Sequence, residues 1–184
     1  MALALLASFA EQSYGFRELD ARVVFHLARI GGGRAAHQIV KLGDLAPQLV
    51  LLGGAVAVGF ARRRPLDALA AAILVAGADL TTQLLKHALY QWRFEPLLGW
   101  SQVGPAAFPS GHATTVAAMA LAWSLVVPPR VRLPTLAVGA GVTAAVCWGV
   151  VVARWHYPSD ALGGVLVALT WYFGVVAARP PATD

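Results

Sequence analysis

The chain has 184 residues, of which 58% are hydrophobic and 12% charged. Soluble domains carry about a quarter charged residues, and the apolar residues here fall in long blocks rather than in alternation, which excludes a soluble enzyme and points to bilayer spans. The formal charge of +5 is not gathered into a patch but sits at the ends of the apolar blocks, which speaks for the membrane and against nucleic acid as partner.

Residues 2–10 are apolar but too short to cross a bilayer, and they lack the basic flank of a cleaved signal peptide. Over residues 18–30, Leu19, Val23, Leu27 and Ile30 share one helical face, with Asp20, Arg22, His26 and Arg29 largely elsewhere. This pattern predicts an amphipathic helix at the membrane interface. Gly31, Gly32 and Gly33 break it, and Arg34, His37 and Lys41 mark the polar face of a second short helix.

Five apolar blocks follow, at residues 45–61, 66–85, 113–127, 133–153 and 161–178. A span needs about 20 apolar residues, with about 17 as the lower limit, so the block at 113–127 is short. The second block carries Asp67 near its start and Asp79 inside. The expected fold is all-α: a polytopic membrane bundle of five transmembrane helices preceded by amphipathic helices. The length allows a single domain over 1–184, with an interfacial segment at 1–44 and a transmembrane core at 45–178. Cys147 lies alone within an apolar block and reads as a small buried hydrophobe.

Arg62, Arg63 and Arg64 separate the first two blocks, Arg130 and Arg132 precede the fourth, and Arg179 follows the last. If every block crosses, these arginines share one face, which the positive-inside rule makes cytoplasmic. Residues 86–112 and 154–160 then share the opposite face. This predicts an integral protein of the plasma (inner) membrane, with any site built from those segments extracytoplasmic.

Three clusters fall on that face. Lys86 and Arg93 are seven apart, about two helical turns, so both can point the same way. Alone they read as side chains snorkelling to the headgroups. Phe108, Pro109, Ser110, Gly111 and His112 precede an apolar helix. Ser110 suits an N-cap, the helix N-terminus suits an anion, Gly111 permits close approach of a ligand, and His112 is a proton donor near neutral pH. The bland reading is an ordinary capped helix. His156 and Asp160, four apart beside Pro158, suit a nucleophilic imidazole held by a carboxylate; Asp160 alone reads equally as a favourable charge on a helix dipole. Taken together, the cations, two histidines, carboxylate and helix N-terminus are the inventory of phosphoryl transfer.

At these residues the chain resembles the type 2 phosphatidic acid phosphatase superfamily, which includes lipid phosphate phosphatases, undecaprenyl diphosphate phosphatases and the soluble vanadate-dependent haloperoxidases. The resemblance runs from residue 45 onward. It rests on Lys86 with Arg93, on Pro109 to His112, and on His156 with Asp160. It implies catalysis without metal or other cofactor. His156 attacks phosphorus, Asp160 orients it, and His112 protonates the leaving oxygen. Lys86, Arg93, Ser110 and the Gly111 backbone hold the phosphoryl oxygens.

Two positions depart from the family pattern. Phe94 stands where the family has proline after the arginine, with Pro96 two residues on. Gly149 and Val150 stand where it has Ser-Arg, and Arg154 is the nearby cation. Positions 150 and 154 lie one turn apart if helical, so Arg154 is expected to supply the missing charge. Asp79 is expected either to support Lys86 and the pocket floor or to bond a Thr or Trp on a neighbouring helix. His87 and Glu95 read as solvated, and Trp92, Trp100 and Trp155 as interfacial aromatics.

The expected substrate is a lipid phosphate whose chain lies in the bilayer, with prenyl diphosphates and glycerolipid phosphates both fitting. Two alternatives use the same residues: a phosphotransferase passing the group to an alcohol, and a lipid-phosphate binding or transport protein without turnover.

Overall fold

The computed structural model describes residues 14–29, 33–89 and 106–178. Regular structure among them is entirely helical. A chain in lipid must satisfy its backbone polar groups within each segment, and a helix does so. Helix α1 is Tyr14–Arg29, and α2 is Gly33–Val40, continued by a 3-10 turn at Lys41–Gly43. Then come α3 (Leu45–Ala61), α4 (Pro65–Ala88), α5 (Gly111–Val126), α6 (Pro129–Val152) and α7 (Pro158–Ala177). Prolines stand in the first turn of α4, α6 and α7, where a missing N–H costs nothing and the fixed φ suits a helix.

Each of the five apolar blocks forms one helix, and the chain is an integral membrane protein of all-α architecture. Among the described residues, α4, α6 and α7 are each long and apolar enough to cross a membrane, and a fourth such span results if Gly33–Gly43 and Leu45–Ala61, bent by 46°, count as one. Helix α5 has only 16 residues. It packs against α3, α4, α6 and α7, so much of its environment is protein and its length need not match the bilayer.

Small residues make this packing close. Ala117, Ala118 and Ala122 of α5 are buried against Ala71 and Ala78 of α4 and Ala168 of α7. Without a hydrophobic drive between helices in lipid, close backbone approach and dispersion hold such a bundle. A second cluster joins Val146 and Val150 of α6 to Ala21 and Val24 of α1 and Val40 of α2. The N-terminal helices are therefore packed into the bundle. The inward face of α1 also differs from the one its periodicity predicts: Leu19 is 58% exposed and Asp20 only 9%. Asp20 faces inward because a partner waits there, Ser159 of α7.

The arginine-rich end is tied by local pairs. The Arg62 guanidinium donates to the Val126 carbonyl, and Arg64 meets Asp67 at 2.7 Å. The chemistry-bearing segments gather at the other end.

Candidate active site

Helix order brings five segments to one end of the bundle: the start of α3, the end of α4, the loop into α5, the end of α6 and the start of α7. The loop into α5 contains a cis Phe108–Pro109 bond and a fully buried Phe108. Ser110 caps α5, its hydroxyl accepting from the Ala113 N–H at 3.4 Å. Its own N–H donates to the Asp160 carbonyl at 2.9 Å, which joins the two motifs directly. The Thr114 hydroxyl donates to the Ser110 carbonyl at 2.9 Å, and Thr82 of α4 donates to Thr114 at 3.0 Å. Gly164 of α7 allows this docking: a Cβ there would lie 2.5 Å from the Ser110 carbonyl oxygen.

The turn between α6 and α7 sets His156. Helix α6 ends at Val152, and Arg154 adopts φ 59°. The Val150 carbonyl then accepts from the N–H groups of both Trp155 (2.9 Å) and His156 (3.1 Å). Buried Asp160 accepts the Tyr157 N–H at 2.9 Å and lies 3.3 Å from His156 Nδ1. A carboxylate only accepts, so Nδ1 carries the proton in that contact and Nε2 keeps its lone pair.

Lys86 approaches from the end of α4, its Nζ within 3.7 Å of where a Gly111 Cβ would stand. Lys86, His112, His156 and Asp160 lie close enough to act on one another electrostatically. By helix geometry the N–H groups of Gly111 and His112 have no intrahelical acceptor, so they add to the positive character beside Lys86.

His112 meets residues that the motifs do not name. Its Nε2 lies 3.4 Å from Asp44 Oδ1. Asp44 stands at the N-cap of α3 but makes no side-chain cap bond. A Cβ on Gly43 would come within 2.8 Å of His112 Cδ2. On its other side His112 packs on Trp155, ring centroids 5.6 Å apart, and His37 packs edge-on to the same tryptophan at 5.5 Å. Trp155, expected as an interfacial aromatic, thus links α2 to the site.

The structure therefore brings together Lys86, Ser110, Gly111, His112, His156 and Asp160. Arg93 lies outside the described residues, as do Glu95, Trp92 and Trp100. Arg154 follows the end of α6. It has left α6 for a left-handed turn, so the helical spacing that linked it to position 150 does not apply. Val150 itself is fully buried in the cluster with Val24 and Val40. Beside it, a Gly149 Cβ would come within 3.0 Å of Val40 Cγ2. The space around this pair is occupied by the N-terminal helices. Asp79 lies lower in the bundle, accepting from Thr115 at 2.8 Å and from Gln48, and so ties α3, α4 and α5. His87 is exposed and bonds the Gln83 carbonyl of its own helix at 2.7 Å.

Sequence reasoning missed Asp44 and the docking of Asp20 on Ser159. An acid directly before an apolar block, on the face that carries the motifs, was the signal available for Asp44.

A search of curated proteins finds no match to this chain. Among solved structures, the fold matches the crystal structure of the first transmembrane PAP2 type phosphatidylglycerolphosphate phosphatase from Bacillus subtilis. The TM-score is 0.81 at 21% identity, over 95% of this chain and 90% of that one; at such identity the likeness is one of fold. The sequence profile of the PAP2 superfamily matches residues 67–184, well over half the chain and the part that carries Lys86, Ser110, Gly111, His112, His156 and Asp160. The chain belongs to the PAP2 superfamily.

Proposed function

We propose that this protein is a membrane phosphatase that releases phosphate from a lipid phosphate or lipid diphosphate through a phosphohistidine on His156. The observation that carries this reading is the His156–Asp160 pair, joined through the Asp160 carbonyl to the capped N-terminus of α5, with Lys86 beside Gly111. Asp160 holds Nδ1–H and leaves Nε2 to attack phosphorus. The Nε2–P bond forms as the bond to the leaving oxygen breaks. Lys86, the Ser110 hydroxyl and the Gly111 N–H receive the phosphoryl oxygens, Arg93 joins them on the family resemblance, and Arg154 stands in for the arginine that the family has at position 150. His112 gives its proton to the leaving oxygen. Water then cleaves the P–N bond, releasing phosphate and restoring His156. Asp79 supports the site from below by fixing α3 and α5 to α4.

The whole chain, 1–184, acts as one phosphatase domain. The arginine-rich end supports a site on the extracytoplasmic face of the plasma membrane. Glycerolipid phosphates and prenyl diphosphates are the substrate classes to try first, the former because the structural neighbour is a phosphatidylglycerolphosphate phosphatase.

The test is phosphate release by detergent-purified protein with EDTA present. Substrates are phosphatidic acid, phosphatidylglycerol phosphate and prenyl diphosphates, each beside His156→Ala. Release lost in the variant, with an acid-labile phosphoenzyme on the parent alone, supports the reading; release that survives His156→Ala overturns it. Adding an alcohol and looking for its phosphate ester separates hydrolysis from transfer.

A further inference from the structure

Helices α3 and α6 both pack along α5, yet contacts between the two are sparse. An apolar groove of about 460 Å³ runs between them, floored by α5. Its upper end lies beside the site. Leu42 lines it next to Gly43, which lies against His112, and Thr115 lines it one turn beyond His112. Trp123 lines its lower part. The helical rise sets Trp123 about 16 Å along α5 from His112. That is about half of a hydrocarbon core ~30 Å thick, so the groove is one leaflet deep. It also opens sideways, since Leu51 and Val138 on its rims are 43% and 68% exposed. Thr115 directs its hydroxyl onto Asp79, as Gln48 does its amide, so the wall left to a ligand is largely apolar. A second cavity, about 270 Å³ beside Trp171 and Ala178, lies at the far end of α7 from His156 and cannot serve a group reacting there.

We propose that the α3–α6 groove is the chain-binding site of the substrate. A lipid of the same leaflet, its phosphate between Lys86 and His156, lays one hydrocarbon chain sideways past Leu42 and down to Trp123. The inference rests on the phosphatase reading and deepens it by naming a long-chain lipid phosphate over a soluble one. A chain leaving lipid for an apolar groove gains little hydrophobic free energy. The groove therefore acts by orientation, aligning phosphorus on Nε2, and its effect falls on turnover more than on affinity.

Two measurements test this. The first is kcat/KM for alkyl phosphates from hexyl to octadecyl, for the parent and for Val138→Trp, which fills the lower half of the groove from an exposed rim position. The octadecyl-to-hexyl ratio should fall by about tenfold or more, since small misplacements of a reacting group carry penalties of that order. Leu80→Trp, on the exposed face of α4, should leave the ratio as in the parent. A ratio unmoved by Val138→Trp overturns the groove. Absence of phosphate from every alkyl phosphate, hexyl included, would instead count against the phosphatase reading itself. The second measurement is independent of turnover: photolabelling with an octadecyl phosphonate carrying a diazirine near its chain end. Adducts on Met119 or Trp123 that diminish in Val138→Trp support the proposal; adducts around Trp171 overturn it.

Discussion

Asp20 of α1 accepts hydrogen bonds from both the backbone N–H (3.2 Å) and the hydroxyl of Ser159, the residue preceding Asp160 in the first turn of α7. Both residues are buried. A helix near the start of the chain thus fastens the turn that presents His156, and the N-terminal segment becomes part of what holds the site. Asp20→Ala leaves two buried donors without this acceptor, at a cost of about 1–3 kcal/mol each. The melting temperature in detergent should fall, and phosphate release should fall with it at temperatures where the protein is still folded. Asp20→Asn keeps an accepting oxygen and should retain most of both.

Asp44 and Trp155 hold the His112 ring from two sides. If His112 is the general acid, Asp44→Ala loosens the donor without touching the nucleophile. Turnover on an alkyl phosphate should drop by about tenfold, a fraction of the 10²–10⁴ that proton transfer supplies. With p-nitrophenyl phosphate, whose leaving group needs no proton, the loss should largely vanish for Asp44→Ala and His112→Ala alike. Equal losses on both substrates would assign Asp44 a purely structural role.

Asp160→Asn separates orientation from charge. One oxygen, Oδ2, faces both the Tyr157 N–H and His156 Nδ1, so an amide oxygen in its place keeps both contacts and only the negative charge beside the imidazole is lost. Attack through Nε2 makes the imidazole cationic, and a neutral amide stabilises that cation less than a carboxylate does. Phosphoenzyme formation in a rapid quench should slow by at least about a hundredfold, while the melting temperature changes little.

Restoring arginine at position 150 should not improve the enzyme. Val150 is fully buried among Val24, Val40 and Val146, and a guanidinium there lacks both water and a partner. Val150→Arg should lower the melting temperature and release α1 and α2 to limited proteolysis. Arg154→Gly, by contrast, suits φ 59° and removes only the side chain. It should preserve stability and reduce turnover by about tenfold if the guanidinium holds a phosphoryl oxygen; unchanged turnover would remove Arg154 from the site.

Gly164→Ala probes the joint between the two motifs. Its Cβ would stand 2.5 Å from the Ser110 carbonyl oxygen and 2.9 Å from the Thr114 backbone nitrogen. Both are backbone atoms that cannot swing aside. Overpacking of this kind costs about 1–3 kcal/mol, and phosphate release should be lost through displacement of Ser110.

The sequence by itself determined the solvent, the helical class and the order of the motifs. Long apolar blocks have few outcomes in lipid, and helices that alternate in direction carry Lys86, Ser110, His112, His156 and Asp160 to one end whatever their detailed packing. Local chemistry was legible for the same reason: Ser110 caps the helix that follows it, and Asp160 reaches His156 across a single turn. Only the tertiary structure decided the rest. Asp44 reaches His112 across 68 residues and Asp20 reaches Ser159 across 139, pairings that depend on how each helix is rotated and against what. Helix α5 is short because protein surrounds it, and Val150 is apolar amid the N-terminal helices. Arg154 belongs to a left-handed turn that spacing alone reads as helix. Periodicity reports how a segment divides between apolar and polar faces. It does not report which neighbour covers a face, and that neighbour is what turned Asp20 inward and gave His112 a carboxylate partner.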